Sequence, residues 1–243
     1  MTDPKLFAAG EATWPAAHTI HQGPWTLRDG QGGGKRVSAA TAEGDVTTAQ
    51  IAEAEDAMCA LGQAPLFQIR PNDTALDAQL EALGYDVVDP VCLMTIPVAT
   101  LAQIAPPPVS AFAMSEPLAI MREVWSDCGI GPERLAVMKR VDLPKRYVLG
   151  RSNDRAAGAS FAAIHEKTVF CHALEVLPTK RRQGTARNML RAAARWAQEN
   201  GAQTFAIYVV EGNAPGRALF SSLGFTDVGH YHYRIKSSEG DRA

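Results

Sequence analysis

Cysteine is scarce in this chain and carries no pattern. The four residues, Cys59, Cys92, Cys128 and Cys171, show no C-x-x-C spacing and each sits in an apolar context. A disulfide framework or thiolate metal centre is therefore not expected, and reduced core thiols are. Long apolar runs are also missing. No window approaches 18 uninterrupted apolar residues, and the N-terminus lacks the basic-then-apolar pattern of a signal peptide. A cytoplasmic protein with no metal and no membrane partner is the expectation. Charge excess is absent too. Lys and Arg number 24 against 26 Asp and Glu, a formal net charge of −2, so no global field favours nucleic acid or anionic lipid. Whatever the cations do, they do locally.

What is present describes an ordinary globular protein, 46% hydrophobic and 21% charged. Its 243 residues have room for two domains of about 100–130 residues each. The clearest boundary is the run Pro106-Pro107-Pro108. Consecutive prolines make a stiff, extended spacer that cannot lie inside a helix or a central strand. Domains at 1–105 and 106–243 follow.

In the first of these, 1–23 reads as a short helix or irregular arm. Residues 25–28 and 37–41 read as strands around the turn D-G-Q-G-G-G-K at 29–35. That turn lacks a G-K-S/T ending and no helix follows it directly, so a mobile hairpin tip is expected, not a phosphate loop. A helix over 48–61, capped by Thr47 or Thr48, places Ile51, Ala54, Met58 and Leu61 on one face. A strand at 66–69 precedes a helix capped by Asp73 with Leu76, Leu80 and Leu83 inward. A strand at 85–98, bent at Pro90, ends this half.

The second half opens with helices over 117–125 and 132–139. Trp125 and Arg134 there are expected in the core and in solvent respectively, with substrate contact as the alternative. Strands follow at 146–151, 156–164 and 168–176. Alternation along the third puts Phe170, His172, Leu174 and Val176 on one face and Cys171, Ala173 and Glu175 on the other. A helix over 184–198 buries Ala186, Leu190, Ala193, Ala194 and Ala197 and turns Arg187, Arg191 and Arg195 outward. A strand at 204–210 leads to a helix capped by Asn213. The last strand, 225–235, alternates His230 and His232 with Tyr231 and Tyr233. The polar tail 237–243 is expected to be loose.

One stretch concentrates the chemistry. At 174–186, L-E-V-L-P-T-K-R-R-Q-G-T-A, an apolar strand stops at Pro178, three cations follow, and Gly184 opens a helix. A helix start offers unpaired N–H groups and the positive end of a dipole, hence an anion site. The spacing of Val176, Pro178, Arg181, Gly184 and Ala186 is similar to the acyl-CoA loop of the GNAT N-acetyltransferase superfamily. A second signature of that family is matched by Asn213, Gly216, Leu219, Phe220, Leu223, Gly224 and Phe225. The resemblance implies an α/β (α+β) fold with a mixed, mostly antiparallel sheet flanked by helices. The first half repeats the order helix, strand, helix ending Leu83-Gly84-Tyr85, strand, so it reads as a degenerate GNAT-like repeat and the protein as a tandem. At the position of the basic loop it has Gly44-Asp45-Val46, which would repel a pyrophosphate.

The resemblance further implies transfer of an acetyl group from acetyl-CoA to the primary amine of a small molecule, amino acid derivative or peptide, by a monomer or homodimer. The alternatives are an acyl-CoA-binding sensor or scaffold without catalysis, and an acyltransferase using a longer donor. It assigns the cofactor to Leu174, Val176, Arg181, Arg182, Gln183, Gly184, Thr185, Ala186, Arg187, Asn213 and Phe220. Two positions depart from the family: Gly216 stands for a small Ala, and Phe220 for the Tyr that serves as general acid. Tyr208 is the expected substitute acid and His172 the expected base. Glu175, on the other face by alternation, is expected to be structural.

Overall fold

The computed structural model describes residues 3–236, and the tail expected to be loose lies outside them. The first half comprises α1 (Pro4–Ala12), β1 (His18–Gln22), β2 (Trp25–Asp29), a 3-10 turn (Lys35–Val37), β3 (Thr41–Ala42), α2 (Thr48–Ala60), β4 (Leu66–Ile69), α3 (Thr74–Ala82), β5 (Tyr85–Pro97) and α4 (Val98–Ala102). After the prolines come β6 (Ala111–Met114), α5 (Ala119–Asp127), α6 (Pro132–Arg140), β7 (Lys145–Ser152), β8 (Arg155–His165) and β9 (Thr168–Val176). A second 3-10 turn (Pro178–Lys180), α7 (Thr185–Glu199), β10 (Thr204–Val210), α8 (Ala214–Ser222) and β11 (Thr226–Lys236) complete the fold.

β1, β2 and β3 form a small sheet. The other strands form an eight-stranded sheet in the order β4-β11-β5-β10-β9-β8-β7-β6. Its pairs are antiparallel except β9 with β10. The centre of this sheet is an exchange. β5, from before the prolines, lies between β10 and β11, both from after them, and β11 lies between β4 and β5. Each half therefore passes its last strand into the other. The composition of β5 demands such a place. Val91, Cys92, Leu93, Met94 and Ile96 are all buried, a near-continuous apolar run that must be covered on both faces.

Helices cover both faces. α7 and α8 bury Leu190, Ala193, Ala194 and Phe220 against one side of the sheet. On the other, α5 and α6 bury Met121, Trp125 and Val137 over β7 and β8, and α1 lays Phe7 and Ala9 over β5, β9, β10 and β11. Thr47 caps α2 in a reciprocal box with Gln50, two donors satisfied at once.

The first half differs from the sequence reading at several places: residues 37–41, read as a strand, hold the end of a 3-10 turn at Val37 and only the first residue of a two-residue strand, Thr41–Ala42. The arm at 1–23 contains both α1 and β1, and the hairpin is β1–β2, turning at Gly23. The glycine-rich turn is no mobile tip: it is packed beneath α6, where an added Cβ on Gly33 would stand 2.6 Å from Val137. Close backbone approach is what those glycines allow. Asp73 stands at the start of α3, but its carboxylate accepts from the Arg70 N–H and caps no helical N–H. Leu83, expected inward, is exposed at the end of α3.

Candidate active site

β9 and β10 are bonded from Thr168/Thr204 to Cys171/Ile207, and there the pairing stops, although β9 runs on to Val176 and β10 to Val210. The two strands diverge into a wedge. On the edge of β9 away from the wedge, Leu177 N–H donates to Ala157 C=O of β8 at 2.9 Å, and Glu175 is paired with Ala159. By alternation, the N–H groups of Leu174 and Val176 face the open edge.

The open end of the wedge leads to the start of α7. Gly184 takes a left-handed φ of 81° at the N-cap, and no side chain caps the helix. The first bond into the helix from behind is Asn188 N–H to Gly184 C=O, at 3.0 Å, which leaves the N–H groups of Thr185, Ala186 and Arg187 without helical partners. Arg181, Arg182 and Arg187 surround them, exposed. The Arg181 Nε donates to Val176 C=O at 3.1 Å, and Gln183 is held by the Ser152 hydroxyl. The Thr185 hydroxyl is buried with no partner among the described residues. Asn213 starts α8, its side-chain oxygen accepting from Gly216 N–H at 3.0 Å. A Cβ on residue 216 would sit 2.8 Å from that amide, which accounts for glycine there. Phe220 is buried on α8 against Phe225.

Strict alternation along β9 fails at Ala173. This residue has a φ of +49°, and the register with β8 shifts between Ala159 and Phe161. It is a bulge, and a left-handed alanine costs about 1–2 kcal/mol. The Ala173 carbonyl is taken by the Trp125 indole N–H at 2.9 Å, a bond that holds the bulge in place. Two residues at the bulge share one face, so the pattern beyond it inverts. Leu174 and Val176 join Val169 and Cys171 against the α7 core, not the face of Phe170 and His172. Glu175 accordingly turns to the α5–α6 side, near Arg134, Arg181 and Cys128. It is half-buried, and burial pushes its carboxyl above the usual range against the pull of Arg181 and Arg134.

His172 is buried and wedged between Trp14, Phe161 and Phe170. The Arg36 Nη1 lies 3.1 Å from its Nδ1 and the Thr13 hydroxyl 2.9 Å from its Nε2. Arginine can only donate, so Nδ1 is the acceptor and Nε2–H donates to Thr13. Thr13 passes its own proton to Ala9 C=O at 2.7 Å. Burial, with Arg36 adding to it, holds the imidazole pKa well below its ordinary value. Tyr208 is the first residue of β10 beyond the split. Its ring stacks on Phe170, meets Tyr231 edge-on and lies under Arg36, 5.3 Å from the guanidinium carbon. Burial first, and Tyr231 second, push the phenol far above its ordinary pKa, so it stays protonated. His172 and Tyr208 are thus brought together through Phe170 and Arg36. Arg36 belongs to the first half, and no motif in the sequence marks it; the face to which Glu175 turns was hidden by the bulge.

A mixed sheet splayed between two parallel strands opens onto an uncapped, cation-ringed helix start, an arrangement suited to an anionic ligand. Residues 113–225 match the Acetyltransferase (GNAT) family, whose members use acyl-CoA. The chain is 24% identical over 242 residues to an uncharacterized N-acetyltransferase, YobR, of Bacillus subtilis (strain 168), covering 96% of this chain and 98% of that one. Its fold is similar to that of a GCN5-related N-acetyltransferase from Kribbella flavida, with a TM-score of 0.68, 16% identity and coverage of 98% and 97%. It is also similar to a tandem GNAT protein from the clavulanic acid biosynthesis pathway, with a TM-score of 0.59, 12% identity and coverage of 83% and 76%. The tandem, GNAT-like architecture extends over both halves.

Proposed function

We propose that the protein moves an acetyl group from acetyl-CoA to a primary amine, with both cofactor and chemistry in the wedge between β9 and β10. The observation that carries this reading is the parting of those strands directly in front of an uncapped helix start. The diphosphate is gripped by the N–H groups of 185–187, with Arg181, Arg182 and Arg187 supplying charge. The Thr185 hydroxyl and the Gln183 side chain complete the turn. The peptide-like pantetheine arm pairs with the outward groups of Leu174 and Val176, and the Asn213 amide nitrogen binds it near the sulfur. Phe220 packs beside it. An outward N–H beyond the bulge polarises the thioester carbonyl, and such a donor is worth about 10²–10³ in rate.

Two protons then have to move. An amine with a pKa of about 10.4 arrives charged and must lose one. Glu175, turned by the bulge to the α5–α6 side with its basicity raised by burial, takes this proton. His172 has its acceptor nitrogen occupied by Arg36, so its part is to position that guanidinium. The departing thiolate, with a pKa of about 8.5 by analogy with cysteine, leaves without strong assistance. Tyr208, kept protonated by burial, donates to it. This division of roles puts the acid on β10 and the base on β9, on opposite strands of the wedge.

Calorimetric titration with acetyl-CoA tests the cradle. Gly184→Glu places a carboxylate where the diphosphate would lie and is expected to abolish binding without altering the circular dichroism spectrum. Normal binding by that variant would refute the assignment. Tyr208→Phe is expected to lower turnover by about 10²–10⁴-fold with little change in the Michaelis constant for acetyl-CoA. One observation favours a second reading, a scaffold that binds acyl-CoA without transfer: Phe220 has no hydroxyl to donate. Release of free thiol from acetyl-CoA in the presence of mixed amines separates the two.

A further inference from the structure

A charged cavity in the first half lies beside the wedge. It has a volume of about 320 Å³ and is walled by Trp14 and Thr41 together with Arg28, Arg36, Arg70, Glu11 and Glu43. Three guanidinium groups thus face two carboxylates, and Glu43 stands exposed at the rim. His21, in the exposed strand β1, also lines it.

Inside, one carboxylate serves two cations. Glu11 pairs with Arg28 at 2.9 Å and also with Arg70. Arg28 is buried and fully engaged. It donates to Ala39 C=O at 2.8 Å and to the Thr41 hydroxyl at 3.1 Å as well as to Glu11. Burial lowers its pKa against the opposing pull of Glu11, and neighbouring Arg70 adds to the lowering. Arg36 is different. It is half-buried, sandwiched between the rings of Trp14 and Tyr208 at 5.3 Å from each centroid, and its hydrogen bond goes to a neutral imidazole. It makes no ion pair among the described residues. A guanidinium so placed keeps donors free for a planar, two-pronged anion.

Arg36 also belongs to both places. It lines the cavity and covers Tyr208, the first residue beyond the split of β9 and β10. We propose that this cavity is the anchor for the acceptor: it binds a carboxylate on Arg36, with Arg70 beside it, so the amine to be acetylated belongs to a carboxylate-bearing molecule of the amino acid class. The inference rests on the transfer reading for its second clause only; the anion site itself stands on the cavity. The first half then selects the acceptor while the second carries the cofactor.

The test uses the full chain and glutarate, a dicarboxylate with no amine, titrated by calorimetry. Saturable binding is expected, weakened about tenfold or more by Arg36→Gln, one charge-assisted pair, with the melting temperature little changed. Arg36→Lys, which keeps charge but loses the fork, is expected to fall between. Absence of glutarate binding up to tens of millimolar, or equal affinity in wild type and Arg36→Gln, would overturn the proposal. Inorganic phosphate binding as tightly as glutarate would overturn the carboxylate class. Gly184→Glu is expected to bind glutarate normally, so loss of acetyl-CoA binding and loss of anion binding are read separately. In turnover, amino acids are expected to exceed their methyl esters by tenfold or more. Esters that match the free acids would sever the cavity from the acceptor.

Discussion

His172 shows what a single buried side chain contributes. Its neutral ring closes a chain of bonds from Arg36 through Thr13 to the backbone of α1. Protonation would place a second cation against Arg36 in a buried site. The sign of the pH effect follows. A histidine whose folded pKa is depressed gives stability that is complete above its unfolded value and is lost as pH falls. The melting temperature of the wild type is therefore expected to fall as pH drops below about 6.5. His172→Gln should flatten that slope, measured by thermal denaturation between pH 7 and pH 5. An unchanged slope would mean that His172 is not the titrating group. At this scale the sequence was informative about Gly184 and Asn213, whose roles depend on local backbone. It was silent on Arg36, whose partners His172 and Tyr208 are more than 130 residues away in the chain.

Among the elements, β9 is the one that misleads a reader of the sequence. Period-two alternation describes it up to His172 and fails after it. The cause is a long-range bond, Trp125 to Ala173 C=O, which no window of residues reveals. The strands β4 and β10 and the helices α2, α7 and α8 were legible, because caps, glycine stops and apolar period all act within a few residues. β1 and β6 were not, being short and lacking buried, alternating faces. The bulge has a kinetic consequence. With Glu175 as the base and its pKa raised by burial, activity requires its ionised form, so the acid limb of kcat/KM is expected above the ordinary carboxylate range. Glu175→Gln should remove that limb and lower turnover by about 10²–10⁴-fold. A pH–rate profile that is unchanged in the variant would return Glu175 to a structural part.

For the molecule as a whole, the proline run joins two halves of the chain without dividing the sheet. It lies between β5 and β6, yet β5 and β11 cross from half to half on either side of it. The tandem character was legible from the repeated order of elements and the two Leu-Gly-aromatic helix ends. The exchange was not, because a strand's neighbours are decided by chain topology and not by its own residues. Residues 106–243 produced alone would leave β10 and β11 separated by the gap that β5 fills, two apolar edges without partners. That fragment is expected to be insoluble or unfolded by circular dichroism, and co-expression with residues 1–105 should recover it. A soluble, cooperatively melting fragment would show that β5 is dispensable.

The crossed strands also bear on how such a chain can change over time. The first half reads Gly44-Asp45-Val46 where the second has its basic turn, and a copy without those cations invites deletion. Here deletion would take a central rib out of the copy that works. The idle-looking repeat is thus locked in by architecture, free to drift in its loops and to acquire a new task, but not free to leave.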